Sequence, residues 1–477
     1  MDEPEPFDDP GPLVPRPPGR ARRVATVGVL VLLIVSMVFL AFVSGRGFVT
    51  PAPAGPDQPN PTLPEAAGTA VPSSSVTPAA QRLAVVDAAG HLVVADETGK
   101  VSAPLGGAGI AYSFPAWSPG GDRIAVIGDD NGTGVVHVFT VGQAGSEPAA
   151  PAAVYDSSDD PPFYLYWSPD GTRVSFLTTE PAGGSDLRVA PSDASATATV
   201  VRQGAPLYWA WNGPGGMLVH SGGDAADAFI GEVGIDGVAA EPTVRGSGGF
   251  RAPAVSADRA YVGYVGGGSP DPEVVLQARD GTGRHAVTVH GETAIDFSPT
   301  SADLAFIGPD VAGRQLALPI GPLRVLSATS DDARVLLPGP VVAFFWAPDG
   351  RTIAALQVGQ PSDDNVASLD GGATTVRLAR ASIAAAAPGV ALRLVFVDAA
   401  SGATRGARAV QVGDLFAAQV LPYFDQYALS HRFWSPDSRS IALPLAAADG
   451  TVSIVRIPAD GSATTRVTDG VAASWSP

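Results

Sequence analysis

"YWSPDGTR", residues Tyr166 to Arg173, is the stretch on which the fold turns. Pro169 presets φ for the first corner of a type I turn, Asp170 accepts local backbone hydrogen bonds, and Gly171 supplies the left-handed conformation that closes a hairpin. Looser copies recur along the chain. Aligned on the tryptophan position they are Trp117, Trp167, Trp211, Val255, Phe297, Trp346, Trp434 and Trp475, with steps of 50, 44, 44, 42, 49, 88 and 41 residues. The turns that follow read SPGG, SPDG, NGPG, SADR, SPTS, APDG, SPDS and a final SP, so Val255 and Phe297 carry degenerate copies.

A period just above 40 residues is that of a four-stranded propeller blade. Each turn leads into a short apolar strand, such as Leu304–Ile307, and two more strands follow it. One strand before the turn and three after it make an antiparallel blade, and the tryptophan is expected to fill the gap between neighbours. The fold class is therefore all-β: an eight-bladed β-propeller of four-stranded antiparallel blades, preceded by one transmembrane helix. Seven blades are the alternative, with one degenerate copy read as an insertion. The last copy, around Trp475, stops at its turn, while strand-like runs from Leu83 to Pro104 precede the first copy. These two ends are expected to share one blade, which removes exposed sheet edges.

The repeat W-S-P-D-G-x-x-I-A-F, with a later D-G, resembles the TolB-type (PD40, WD40-like) propeller repeats. It is similar to the propeller domains of LpqB-type lipoproteins and of prolyl-oligopeptidase-like peptidases. The resemblance covers residues 82 to 477 and implies an extracytoplasmic binding or scaffolding propeller. The chain departs from those families in lacking a lipobox cysteine.

The 477 residues carry 29 basic and 47 acidic side chains, a formal charge of −18. Such a surface repels phosphate backbones and argues against a nucleic-acid partner. Lys100 is the sole lysine and there is no cysteine, which removes disulfides, zinc–thiolate sites and thiol nucleophiles. Val24 to Val43 holds no charge, and Arg16, Arg20, Arg22 and Arg23 precede it. A run of about 20 apolar residues spans a bilayer, and the positive-inside bias keeps the N-terminus in the cytoplasm. The domain reading is a disordered tail over 1–23, the transmembrane helix over 24–44, a Pro/Ala/Ser/Thr-rich stalk over 45–81 and the propeller over 82–477, with insertions at 359–389 and 413–431. The expected location is the cell membrane, single-pass, with the propeller outside.

No catalytic, metal or cofactor site is expected. G-x-S-x-G does not occur, and the six histidines show no metal or triad spacing. Asp129-Asp130, Asp159-Asp160 and Asp363-Asp364 do not follow a calcium-loop pattern and read as solvated turns. The 88-residue step holds both insertions, and the second concentrates Phe416, Tyr423, Phe424 and Tyr427, with His431 at its end. Those five residues are the candidate partner-binding patch, since aromatic rings make good interface anchors. The competing reading is a short helix that packs the rings onto the propeller as a lid. The function expected is a non-catalytic protein-binding or scaffolding module whose partner is another envelope protein or peptide. The alternative is an accessory, substrate-gating propeller for a separately encoded peptidase or hydrolase.

Overall fold

The computed structural model describes residues 81–477, apart from 97, 108, 143–149, 180–183, 205, 223–228, 239–243, 246–250, 267–271, 310–317 and 359–389. The tail, the transmembrane helix and nearly all of the stalk lie outside the described residues, as does the first insertion. Among the described residues no helix is long and apolar enough to cross a membrane.

The turn forms as its chemistry dictates. Gly171 has φ +68°, and its N–H donates to Ser168 O at 2.9 Å. The Ser168 hydroxyl donates to Asp170 Oδ1 at 2.6 Å and accepts from Arg173 N–H at 2.9 Å. One serine thus ties both ends of the turn. The same pattern holds at Ser256, where Arg259 (φ +61°) occupies the left-handed position, and at Ser435, where Ser438 (φ +60°) does so. The turns with Arg259 and Ser438 thus keep the geometry of the glycine copies.

Strands pair antiparallel throughout. Four sheets have four strands each, their first strands being Ile110–Trp117, Pro162–Trp167, Leu207–Trp211 and Ala254–Val255. A run of ten strands follows, from Ala294–Phe297 to Thr465–Asp469. It is continuous because the 13-residue strand Arg334–Trp346 closes one repeat and opens the next. Further along, only Val412↔Leu445 joins Thr404–Val412 to Ser440–Ala446. The last sheet joins the two ends of the propeller: Leu83, Ala84, Val85 and Val86 pair with Trp475, Ser474, Ala473 and Ala472.

First strands of successive sheets pack against one another, and the repeat tryptophans lock them. Trp167 Nε1–H donates to Ala116 O at 2.9 Å, the residue just before Trp117. Trp117 reaches Ser474 O at 2.9 Å, Trp346 reaches Asp296 O at 3.3 Å, and Trp434 reaches Phe345 O at 2.9 Å. In each case the acceptor precedes the tryptophan-position residue of the neighbouring repeat. Trp211 uses a relay instead: it donates to Ser175 Oγ at 3.0 Å, and Ser175 donates to Tyr166 O at 2.8 Å. Arginines brace two of these indoles from outside. Arg82 stacks over Trp117 and donates to Gly121 O, and Arg123 does the same over Trp167 to Gly171 O.

Trp475 breaks the series. It is fully buried, but its Nε1–H has no partner, and the equivalent acceptor, Phe433 O, is taken by Ala442 N–H at 2.8 Å. Replacing Trp117 with Phe should cost about 1–3 kcal/mol beyond the lost volume, because the Ser474 carbonyl loses its donor. Trp475→Phe should cost less, since the group it removes is already unsatisfied. Chemical denaturation of the two variants decides this; equal losses would show that the indole bonds do not set the stability.

Candidate functional site

The second insertion runs back into the middle of the ring. After Gly413 the chain makes a π-helical turn, Phe416–Val420, then a 3-10 turn, Leu421–Tyr423, and then helix α1, Phe424–Ser430. Pro422 favours the tight middle turn, and Asp425 sits in the first turn of α1, where the helix dipole favours a carboxylate. His431 is extended (φ −122°, ψ 135°) and stops the helix.

The five candidate patch residues do come together, but they do not form a surface. Phe416, Phe424, Tyr427 and His431 are buried, and only Tyr423, at 46% exposure, reaches solvent. Phe424 packs against Phe344 and Phe345, with ring centroids 5.2 and 6.1 Å apart. Tyr427 packs on Tyr164 (5.3 Å) and Phe114 (5.4 Å), and Phe416 on Phe433 (5.8 Å). The patch reading is corrected for these four. Rings this apolar lower the free energy more against the strands of their own ring than in water. Tyr423 remains accessible and lies 6.4 Å from the Tyr208 ring.

Polar contacts fix the insertion in place. Gln426 pairs with the Trp209 backbone like a short strand: its Nε2–H donates to Trp209 O at 3.0 Å, and Trp209 N–H donates to its Oε1 at 3.3 Å. Tyr164 O–H donates to Gln426 O at 2.6 Å. Arg251, itself buried, donates to Pro422 O at 2.8 Å and pairs with Glu292 at 3.2 Å. Its Nη1 lies 3.9 Å from Asp425 Oδ1, which has no hydrogen bond, while Asp425 Oδ2 accepts from Ala252 N–H at 3.4 Å. His431 Nε2 lies 3.2 Å from Phe114 O and its Nδ1 lies 2.7 Å from Ser430 Oγ. A carbonyl only accepts, so Nε2 carries the proton and Nδ1 accepts from Ser430. Beside His431 is a cavity of about 20 Å³ lined by Phe114, Phe416, Tyr427 and Phe433, room for one water.

Titratable groups are pressed together at this centre. Burial, and secondarily the Asp425 carboxylate, push Asp296 up to about 8. Burial raises Asp425 against the opposing pull of Arg251. Burial lowers His431 to about 4, opposed by its bond to Phe114 O, so the ring is neutral. Burial also raises Tyr166 and lowers Arg432.

Sequence reading missed Asp296, Asp425, Gln426, Arg251 and Arg432. Asp296 did carry a signal, a carboxylate just before the tryptophan position, where other copies have Ala116, Ala210, Phe345 or Phe433. The turn acids are satisfied locally: Asp129 accepts from Gly132 N–H, and Asp160 pairs with Arg188. Among the described residues no group of three His, Cys, Asp or Glu side chains could hold a metal.

No protein-family model matches the chain. No curated protein matches it either. Solved structures do. TolB from Acinetobacter baumannii is 12% identical, with 81% of this chain and 79% of that one covered and a TM-score of 0.36. A eukaryotic initiation factor is 13% identical over 84% of this chain and 99% of that one, with a TM-score of 0.48. A prolyl endopeptidase is 13% identical over 57% of this chain and 44% of that one, with a TM-score of 0.38. The chain is therefore similar to propellers of the TolB and prolyl endopeptidase kinds at low identity. Its all-β architecture of antiparallel sheets stands on its own strand pairing.

Asp296 gives a pH test. A carboxyl raised in the folded state contributes stability that is fully present below its unfolded value, about 4, and is lost as pH rises through about 8. Turn acids such as Asp258, lowered chiefly by the Ser256 hydroxyl and the Ala260 N–H, act in the opposite sense and lose their contribution in acid. Melting temperature should therefore decline between about pH 4 and about pH 8 in the wild type and stay flatter over that range in Asp296→Asn. A parallel decline over that range in both would remove Asp296 as the cause.

Proposed function

We propose that this chain is a membrane-anchored, eight-bladed propeller displayed outside the cell, working as a non-catalytic protein-binding or scaffolding module. The observation that carries this reading is the filled centre. The insertion 413–431 puts the rings of Phe416, Phe424 and Tyr427 and the Gln426 amide into the ring's interior. What such a body offers a partner is its outer faces, of which Tyr423 is an accessible aromatic anchor. The charge of −18 favours a partner with a basic complement.

Eight repeat positions support the count of eight. On this reading the ten-stranded run contains three blades, two of them sharing the strand Arg334–Trp346. The three-stranded sheet is the blade shared by both ends. The anchor rests on the charge-free Val24–Val43 run and the arginines before it.

Two measurements test the proposal. An N-terminal tag should stay on the full-length protein and resist protease added to intact cells, while the propeller is cleaved or labelled from outside. A mature chain starting after the apolar run would refute the anchor. A photo-crosslinking residue at Tyr423 should capture an envelope protein or peptide, and Tyr423→Ala should reduce co-purification of that partner with little change in melting temperature. Capture that is independent of Tyr423 would move the interface elsewhere on the ring.

A further inference from the structure

Among the described residues the exposed large apolar side chains are Val101, Val200, Val238, Val335, Phe163 at 42% and Tyr423 at 46%. The valines lie on different repeats, as single apolar surface residues usually do. The two rings lie together. Every first strand ends at its tryptophan-position residue, just before the turn, and so begins on the opposite face, where the insertion 413–431 enters. Phe163 is the second residue of the first strand Pro162–Trp167. Tyr423 lies 6.4 Å from the ring of Tyr208, the second residue of the next first strand, Leu207–Trp211. Tyr164, beside Phe163, packs on Tyr427 of α1 at 5.3 Å. Both exposed rings therefore adjoin α1 on one face.

The exposure of Phe163 is built into the strand. Pro162 pairs with Thr178 and Tyr164 with Leu177, so Phe163 is the extra residue of a bulge, with nothing opposite it. A bulge re-aims a side chain, and this one leaves the ring in solvent. The neighbouring sheet braces the position. A Cβ at Gly134 would stand 2.5 Å from Pro162 Cδ and 2.9 Å from Pro161 Cα. Glycine thus lets the hairpin around it press directly on the two prolines that precede the ring.

That hairpin carries carboxylates to the same place. Asp129 and Asp130 pair across its tip with Gly134 and Thr133, and Asp156 pairs with Val135 from the next strand. Asp159 follows in the connection that leads to Phe163. All four are exposed. Arg188 does not offset them, because it pairs with Asp186 at 2.8 Å and Asp160 at 3.4 Å and stacks over Tyr155. The arginines that follow the turns, Arg123, Arg173, Arg351 and Arg439, lie on the other face. An exposed aromatic ring attracts a cation to its face. Carboxylates beside it add the same preference through charge and repel acidic partners.

We propose that the face around Phe163 and Tyr423 docks a basic polypeptide segment, its arginine or lysine side chains laid against the two rings and beside the carboxylates of Asp129, Asp130, Asp156 and Asp159. This rests on the protein-binding reading above and adds to it the place and the charge of the partner. Anchors on two successive first strands suit a segment that crosses the face. A small polyamine carries the charge without the apolar contact and does not need both rings.

The test is selection of a random short-peptide phage library on the full-length chain in detergent micelles, followed by Kd measurements on the enriched peptides. Those peptides are expected to be net basic, with at least one arginine or lysine. Phe163→Ala and Tyr423→Ala should each raise Kd about fivefold or more. The ligand-free melting temperature should not change, since both rings are exposed. Asp130→Asn combined with Asp159→Asn should raise Kd and flatten its salt dependence, whereas Asp349→Asn, in a turn on the other face, should change neither. Dependence on Tyr423 but not on Phe163 or the two aspartates would overturn this site and leave the protein-binding reading standing. Neutral or acidic enriched peptides, or basic ones whose Kd neither ring moves, would also overturn it. So would spermidine binding as tightly as the peptides and indifferent to Phe163→Ala. No enrichment over empty micelles would overturn both readings.

Discussion

The indole N–H of one repeat, bonded to a backbone carbonyl of the neighbouring repeat, is the constraint on which the rest of this ring depends. Sheets packed face to face are held mainly by apolar contact, which has no direction and permits sliding. A buried donor and a buried carbonyl do fix register, because leaving either unmade costs about 1–3 kcal/mol. The acceptors Ala116, Ser474, Asp296 and Phe345 all precede a tryptophan-position residue, so one repeat unit sets the offset of the next. Trp211 meets the same requirement through the Ser175 hydroxyl, which accepts from two indoles and donates to Tyr166 O.

That offset leaves the first strands facing an axis, and the chain fills part of it with its own insertion. Three kinds of helical turn follow one another between Phe416 and Ser430. This irregularity is what a segment shaped by its container shows: the repeat does not leave a cylinder of α-helical length, and side-chain bonds to Trp209, Tyr164 and Arg251 fix the path. The cost is electrostatic. Asp425 is carried into the interior with one oxygen unbonded, and it raises Asp296 further. Turn carboxylates at the surface, each bonded to a serine or threonine hydroxyl, are shifted the other way. Stability should accordingly peak between the two sets of transitions.

The seam at Trp475 differs from the others. Its indole is unpaired, and closure relies on the four-residue ladder from Leu83 to Val86 and on the Trp475–Arg432 backbone bond. Joining both ends of the propeller in one sheet leaves no first-strand edge open there.

What the sequence determined by itself is the local and periodic part. Ser-Pro-Asp-Gly specifies a turn through φ and short-range hydrogen bonds, and a period just above 40 residues specifies a repeated sheet, so both were legible along the chain. The pairing of the Trp475 strand with the Leu83 strand was legible too, as a missing strand at one end and a surplus at the other. The insertion was visible as an excess of aromatic residues, but its direction was not. Phe416, Phe424 and Tyr427 suit an exposed anchor or a buried wedge equally well, and only the space enclosed by the first strands decided for the interior. The meeting of Arg251 and Asp425 in the interior was likewise beyond sequence reading. Their separation of more than a hundred residues becomes a distance of 3.9 Å only in the folded ring, because burial and charge pairing are properties of the assembled strands and not of the local sequence.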